Sequence, residues 1–104
     1  MSVGLFLQDY EPQSQLVTPG TDVPRARVPV IDAHNHLPIE HPRMADVDLD
    51  QMIREMDFVN VRTIVNLSGG TGDLLKRSVQ ALDAVYPERF VTFCNVDWTD
   101  VGES

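Results

Sequence analysis

The chain has 104 residues and a formal net charge of -8, enough for one small domain and without the basic surface that phosphate backbones or anionic membranes require. Hydrophobic residues make up 42% and charged residues 23%, the balance of a soluble globular chain and not of a disordered one. Its one cysteine, Cys94, excludes an internal disulfide framework.

The apolar patch Val3 to Leu7 has no basic flank and meets Asp9 too soon for a signal segment. No run approaches the roughly 18 apolar residues of a membrane span. The expectation is a cytoplasmic chain with no nucleic-acid or membrane partner.

Residues 1–27 read as an irregular arm. Pro12, Pro19 and Pro24 punctuate it, each removing a backbone donor. Its apolar residues Leu5, Phe6, Leu7, Leu16 and Val17 are expected to dock on something larger. Residues 28–104 carry regular elements. A strand is expected over Val28 to His36, with an apolar body of Val30, Ile31 and Ala33 and with Pro29 near its start. A helix follows over Asp48 to Val59. Asp48 is its N-cap, and Gln51 stands three residues on, close to a capping box. Leu49, Met52, Ile53, Met56 and Val59 fall on one helical face. Asn60 suits the left-handed position that ends a helix.

The second strand is expected over Arg62 to Leu67, followed by a flexible loop, Ser68-Gly69-Gly70-Thr71-Gly72. A second helix reads from Asp73 to Tyr86, buried through Leu75, Val79, Leu82 and Tyr86 and stopped by Pro87. The third strand is Phe90 to Val96. Strand, helix, strand, helix, strand implies an α/β fold with a parallel sheet. This is less than half of a (β/α)-barrel, which needs eight strands and typically about 250 residues. The pattern reads as cut off, not concluded.

The chemistry-bearing segment is Ile31-Asp32-Ala33-His34-Asn35-His36-Leu37. Alternate residues of a strand share a face, so Asp32, His34 and His36 are expected to project to the same side. Two imidazoles at i and i+2 near a strand's C-terminal end can grip one divalent ion, and imidazole suits Zn²⁺ and its neighbours. A His-x-His pair by itself recurs by chance. Its position favours a metal, because it ends an apolar strand and precedes a Pro-rich loop. Two histidines inside a small core would also need partners for every ring nitrogen. Asp32 reads equally as an acceptor for a ring N–H or as a structural acid satisfied by backbone donors.

The run PVIDAHNHLP resembles the first-strand motif of the amidohydrolase superfamily. Within that superfamily the chain is similar to the amidohydrolase-related branch that includes aminocarboxymuconate-semialdehyde decarboxylase-like enzymes. EPQSQLVTP before VPRARVPVID, YPERF before the third strand and FCNVDW at its end support the likeness. Asn60 stands where such proteins often have glycine. The resemblance implies a metal-dependent (β/α)₈ barrel of the TIM type, of which this chain supplies an incomplete N-terminal βαβαβ portion. It implies one or two divalent ions, commonly zinc, with His34 and His36 as two of the ligands. It also implies further histidines from the middle strands and a proton-shuttling aspartate from the last strand. Neither has a counterpart among these 104 residues, so no catalytic residue is identifiable and the chain alone is expected to be inactive.

The implied activity is hydrolysis of a small carboxylated or cyclic molecule through a metal-activated water. Non-oxidative decarboxylation on the same metal site is the alternative. A phosphoesterase barrel that also opens with His-x-His fits the arm and YPERF less well. The reading from a different class is a catalytically inert fragment, marginal in stability and prone to self-associate through unpaired sheet edges.

The remaining candidates have plainer readings. His41 lies in a loop and is more often solvated than functional. Ser68, Gly69 and Gly70 follow the second strand without the Gly-Lys-Ser/Thr of a phosphate loop. Cys94 reads as a small buried hydrophobe. Asn95 and Asp97 end the third strand with ambiguous parity, and Trp98 suits a ligand or an apolar surface equally. Asp46, Asp48, Asp50 and Asp57 read as a cap and a solvated helix face.

Overall fold

Three strands and two helices alternate along the described residues: β1 (Val30–Asn35), α1 (Leu49–Val59), β2 (Val61–Asn66), α2 (Gly72–Ala81) and β3 (Phe90–Thr92), with single 3-10 turns at Leu7–Asp9 and Pro42–Met44. The structure is a computed structural model that describes Gly4 and residues 6–102. The strands lie in the order β1-β2-β3, and both pairings are parallel. The chain is therefore α/β, as the alternation of its elements implies. Among the described residues no helix is long and apolar enough to cross a membrane.

Paired residues on neighbouring strands share a face of the sheet. Asp32, Ile64 and Phe90 form one such row. Ile64 and Phe90 are buried, and they form the core with Leu37, Met56 and Leu82. Met56 lies on α1 and Leu82 caps the end of α2, so both crossovers cover the same face. The opposite face is bare. Val65 pairs with Val91 there, and Ile31, Val91 and Phe93 are exposed.

The β1–β2 register shifts twice, between Val30 and Ile31 and again between Asp32 and Asn35. Asp32 pairs with Ile64 and Asn35 with Asn66, so three steps along β1 match two along β2. This surplus residue resets the alternation of side chains. Asp32 and Asn35 consequently share the helix-covered face, where Asn35 Nδ2 donates to Asp32 Oδ2 at 2.8 Å. The expectation that Asp32 points with the histidines fails for this reason.

β1 begins at Val30, not Val28, because Pro29 offers no N–H and the first bond is Val30 N to Asn60 O. It ends at Asn35 because the next two amides go to side chains: His36 N to Asn35 Oδ1 and Leu37 N to Asn66 Oδ1.

α1 starts as its sequence requires. Asp48 Oδ1 accepts from Gln51 N at 2.9 Å. The reciprocal half of a capping box is missing, since the Gln51 side chain bonds Glu55 and Arg54 instead. Asn60 closes the helix in the left-handed region at φ 67°. Met56 is buried and Leu49, Met52 and Ile53 pack on the core, but Val59 is exposed.

α2 ends at Ala81, short of the expected Tyr86. Ala84 N reaches back to Val79 O, which widens the last turn. Asp83 then turns onto β3, its carboxylate taking Thr92 N at 2.9 Å and Thr92 Oγ1 at 2.5 Å. The buried positions here are Ser78 and Leu82, while Val79 is exposed.

β3 keeps only three of its expected seven residues. Phe93 N still reaches β2 at Asn66 O, the strand's last residue, and Asn95 N bonds Gly70 O in the loop beyond it. Cys94 is exposed, not buried.

Among the described residues of the arm, Phe6, Leu7, Leu16 and Val17 are all exposed. Leu5 lies outside the described residues. Contact begins at Arg25, whose guanidinium donates to Asp57 O and Phe58 O at 3.0 Å each and so caps α1.

Leu82 has no exposed surface, whereas Phe58 on the outer side of α1 is 71% exposed. Leu82→Ala is expected to lower the unfolding free energy by about 2–5 kcal/mol. Phe58→Ala should change it by less than about 0.5 kcal/mol. Urea titration followed by circular dichroism measures both.

Candidate metal centre

The C-terminal ends of the three strands meet at a cluster of asparagines. Asn66, the last residue of β2, is completely buried. Its Oδ1 accepts from Leu37 N at 2.9 Å and from Ser68 N at 3.0 Å. Its Nδ2 donates to Leu37 O at 3.2 Å. Asn95 acts likewise after β3, donating from Nδ2 to Leu67 O and accepting from Gly70 N. Each amide spans two chain segments, so the loop after β2 is fastened on both sides.

This loop is tight, contrary to the flexible connection expected. Gly69 is buried, and a Cβ at this position would overlap the Phe93 carbonyl and press on Thr92 Cγ2. Ser78 Oγ on α2 donates to the Gly69 carbonyl at 3.2 Å. Glycine is required here by close approach of strand and helix. At Gly70 it is required by a φ of 75° as well.

His34 and His36 project from the end of β1 and are both exposed. Their rings meet edge to face, with centroids 5.3 Å apart. The two Nε2 atoms face each other at 3.3 Å. Zinc–imidazole bonds of about 2.0–2.1 Å at a tetrahedral angle place two ligand nitrogens roughly 3.3–3.4 Å apart. The separation of the pair matches that of two nitrogens on one tetrahedral cation. When one of the two rings is protonated at Nε2, that N–H donates to the other nitrogen. His36 Nδ1 lies 2.8 Å from Ser68 Oγ.

Asp32 does not reach either ring. Its Oδ1 accepts from His34 N at 3.2 Å and its Oδ2 from the Asn35 amide. It shapes the backbone that carries the histidines, which is the structural alternative of its two readings. Among the described residues no group of three or more His, Cys, Asp or Glu side chains gathers around a common point. The pair stands as two donors.

The other candidates are used locally. His41 Nδ1 accepts from Arg43 N at 3.2 Å and starts the 3-10 turn. Asp97 Oδ1 accepts from Thr99 Oγ1 at 2.7 Å and from Thr99 N at 3.0 Å. These bonds, the hydroxyl's first, hold its carboxyl below the usual value. Trp98 is exposed. Asp50 takes the Tyr86 hydroxyl at 2.6 Å and Asp57 the Arg89 guanidinium at 2.7 Å, so neither belongs to a metal cluster.

Sequence reasoning misses Asn66 entirely and gives Ser68 no partner. The available signal is an asparagine two residues beyond Ile64 in an apolar strand. At that parity an amide is buried and must find bonds.

No family model, curated protein or solved structure matches the chain.

Asn66→Ala would strand the Leu37 N–H in a dry environment. The variant is expected to lose about 1–3 kcal/mol of stability. Hydrogen exchange at Leu37 and Ser68 should accelerate at least as much as the global loss requires, while the amides of α1 follow the global loss alone.

Proposed function

We propose that this chain is the opening βαβαβ portion of a metal-dependent (β/α)₈ barrel of the amidohydrolase-related type, and that His34 and His36 hold a divalent cation, Zn²⁺ above others. The complete barrel hydrolyses a small carboxylated or cyclic substrate. The observation that carries the proposal is the 3.3 Å approach of the two Nε2 atoms at the C-terminal end of a parallel strand. Barrel enzymes place their chemistry at that end.

Two features of the sheet support the barrel. Both crossovers lie on one face, as in a singly wound barrel, whereas a doubly wound sheet carries helices on both faces. The opposite face presents Ile31, Val91 and Phe93, the apolar type of side chain that fills a barrel interior. The PVIDAHNHLP run supports the family.

When bound, the cation supplies Lewis acidity and a water acidified toward neutral pH. The chain's own residues do the holding. His34 and His36 contribute one nitrogen each, and the Asn66 amide fixes the backbone between them and the next strand. Catalytic zinc takes three protein ligands as a rule. With two donors, the remaining ligands and the proton shuttle come from outside this sheet. By itself the chain is a metal-binding scaffold without turnover.

Titration of the full chain with Co²⁺, read from its visible absorption, tests the site. One equivalent should bind the wild type. His34→Ala and His36→Ala should each weaken uptake by more than about 100-fold, beyond the usual cost of losing an outer partner. His41→Ala should leave uptake unchanged. Equal uptake by the wild type and the His34→Ala/His36→Ala double variant would sink the proposal.

A further inference from the structure

His36 meets Ser68 through the ring nitrogen that does not face His34, at 2.8 Å. A neutral imidazole has one N–H and one lone pair, and which nitrogen carries the proton is set by the bond the other makes. A nitrogen that takes a metal must present its lone pair. For Nε2 of His36 to do so, the proton must sit on Nδ1, and Nδ1–H then needs an acceptor. Ser68 Oγ is an acceptor at the right distance.

The contact is held by the backbone on both sides. Leu37, which follows His36, is bound to Asn66 through both N–H and C=O. Ser68 N is bound to the same Asn66 Oδ1. One buried amide therefore fixes the spacing between ring and hydroxyl. Ser68 is half-buried, so its own hydrogen can turn to water while the oxygen accepts from the ring.

We propose that Ser68 is a positioning residue: its Oγ accepts from His36 Nδ1–H and keeps Nε2 unprotonated toward His34. In the metal-free chain the 3.3 Å contact is then donated by His34 Nε2–H. The value of this tautomer for cation binding rests on the metal reading above. So does the choice of tautomer, since a serine hydroxyl also donates to an unprotonated Nδ1; nitrogen-15 NMR reads it without a bound metal.

Nitrogen-15 NMR of the imidazoles in the full chain, with chelator present and at a pH where both rings are neutral, reads the tautomer directly. His36 is expected as the Nδ1–H form in the wild type and in Ser68→Thr, and shifted toward the Nε2–H form in Ser68→Ala. Co²⁺ titration of the same three proteins should show a loss of about 10–100-fold for Ser68→Ala and recovery in Ser68→Thr. An unchanged His36 tautomer in Ser68→Ala, or an Nε2–H form already in the wild type, would overturn the assignment. If the tautomer responds but none of the proteins takes up Co²⁺, the metal reading fails and the role of Ser68 in setting the ring stands.

Discussion

A side-chain amide without exposed surface must bond at both ends or destabilise the fold by about 1–3 kcal/mol. Asn66 meets that demand with backbone groups on two different segments. The consequence is geometric. The turn after β1 and the turn after β2 cannot move independently, because both are tied to the same three-atom group. His36 precedes one of these ties and Ser68 carries the other. The relation between ring and hydroxyl is thus a property of the sheet's end, and would survive changes in most of the surrounding surface. Asn95 extends the same device to β3 through Leu67 and Gly70.

The sheet itself is two-sided in an uneven way. One face holds the core, with Ile64 and Phe90 beneath α1 and the segment after α2. The other exposes the apolar side chains Ile31, Val91 and Phe93. Within the covered half, the interactions are complete: no buried side-chain nitrogen or oxygen among the described residues lacks a hydrogen bond. Satisfied polar groups on one side and bare apolar ones on the other are what a layer built to be covered twice looks like.

Much of this is legible from residue order. The α/β alternation follows from hydrophobic periodicity, and the ends of α1 from Asp48 and Asn60, whose roles depend only on local chemistry. What escapes depends on neighbours. The surplus residue in β1 has no signature in Ile31-Asp32-Ala33-His34, so strict alternation puts Asp32 on the wrong face. The early end of α2 follows from Asp83 reaching Thr92, a bond between groups nine residues apart. Cys94 reads as buried when strand length is judged from apolar content, while burial needs a strand on the far side of β3. For the histidine pair, the i, i+2 spacing indicates that the rings lie close, but the facing of Nε2 toward Nε2 requires the side-chain torsions. The tie between Asn66 and Leu37 spans 29 residues, beyond any local pattern.

The absence of space at Gly69 links distant regions of this end of the molecule. Its backbone lies against the Phe93 carbonyl on one side and takes a bond from Ser78 on the other. A methyl group there would push β3 outward, and Asn95 would pull on Gly70 and Leu67 as it went. Leu67 N is bonded to Asn35 O, so the displacement would arrive between the two imidazoles. A shift in the third strand would in this way reach the first like the stroke of a lever, with residue 69 as its fulcrum.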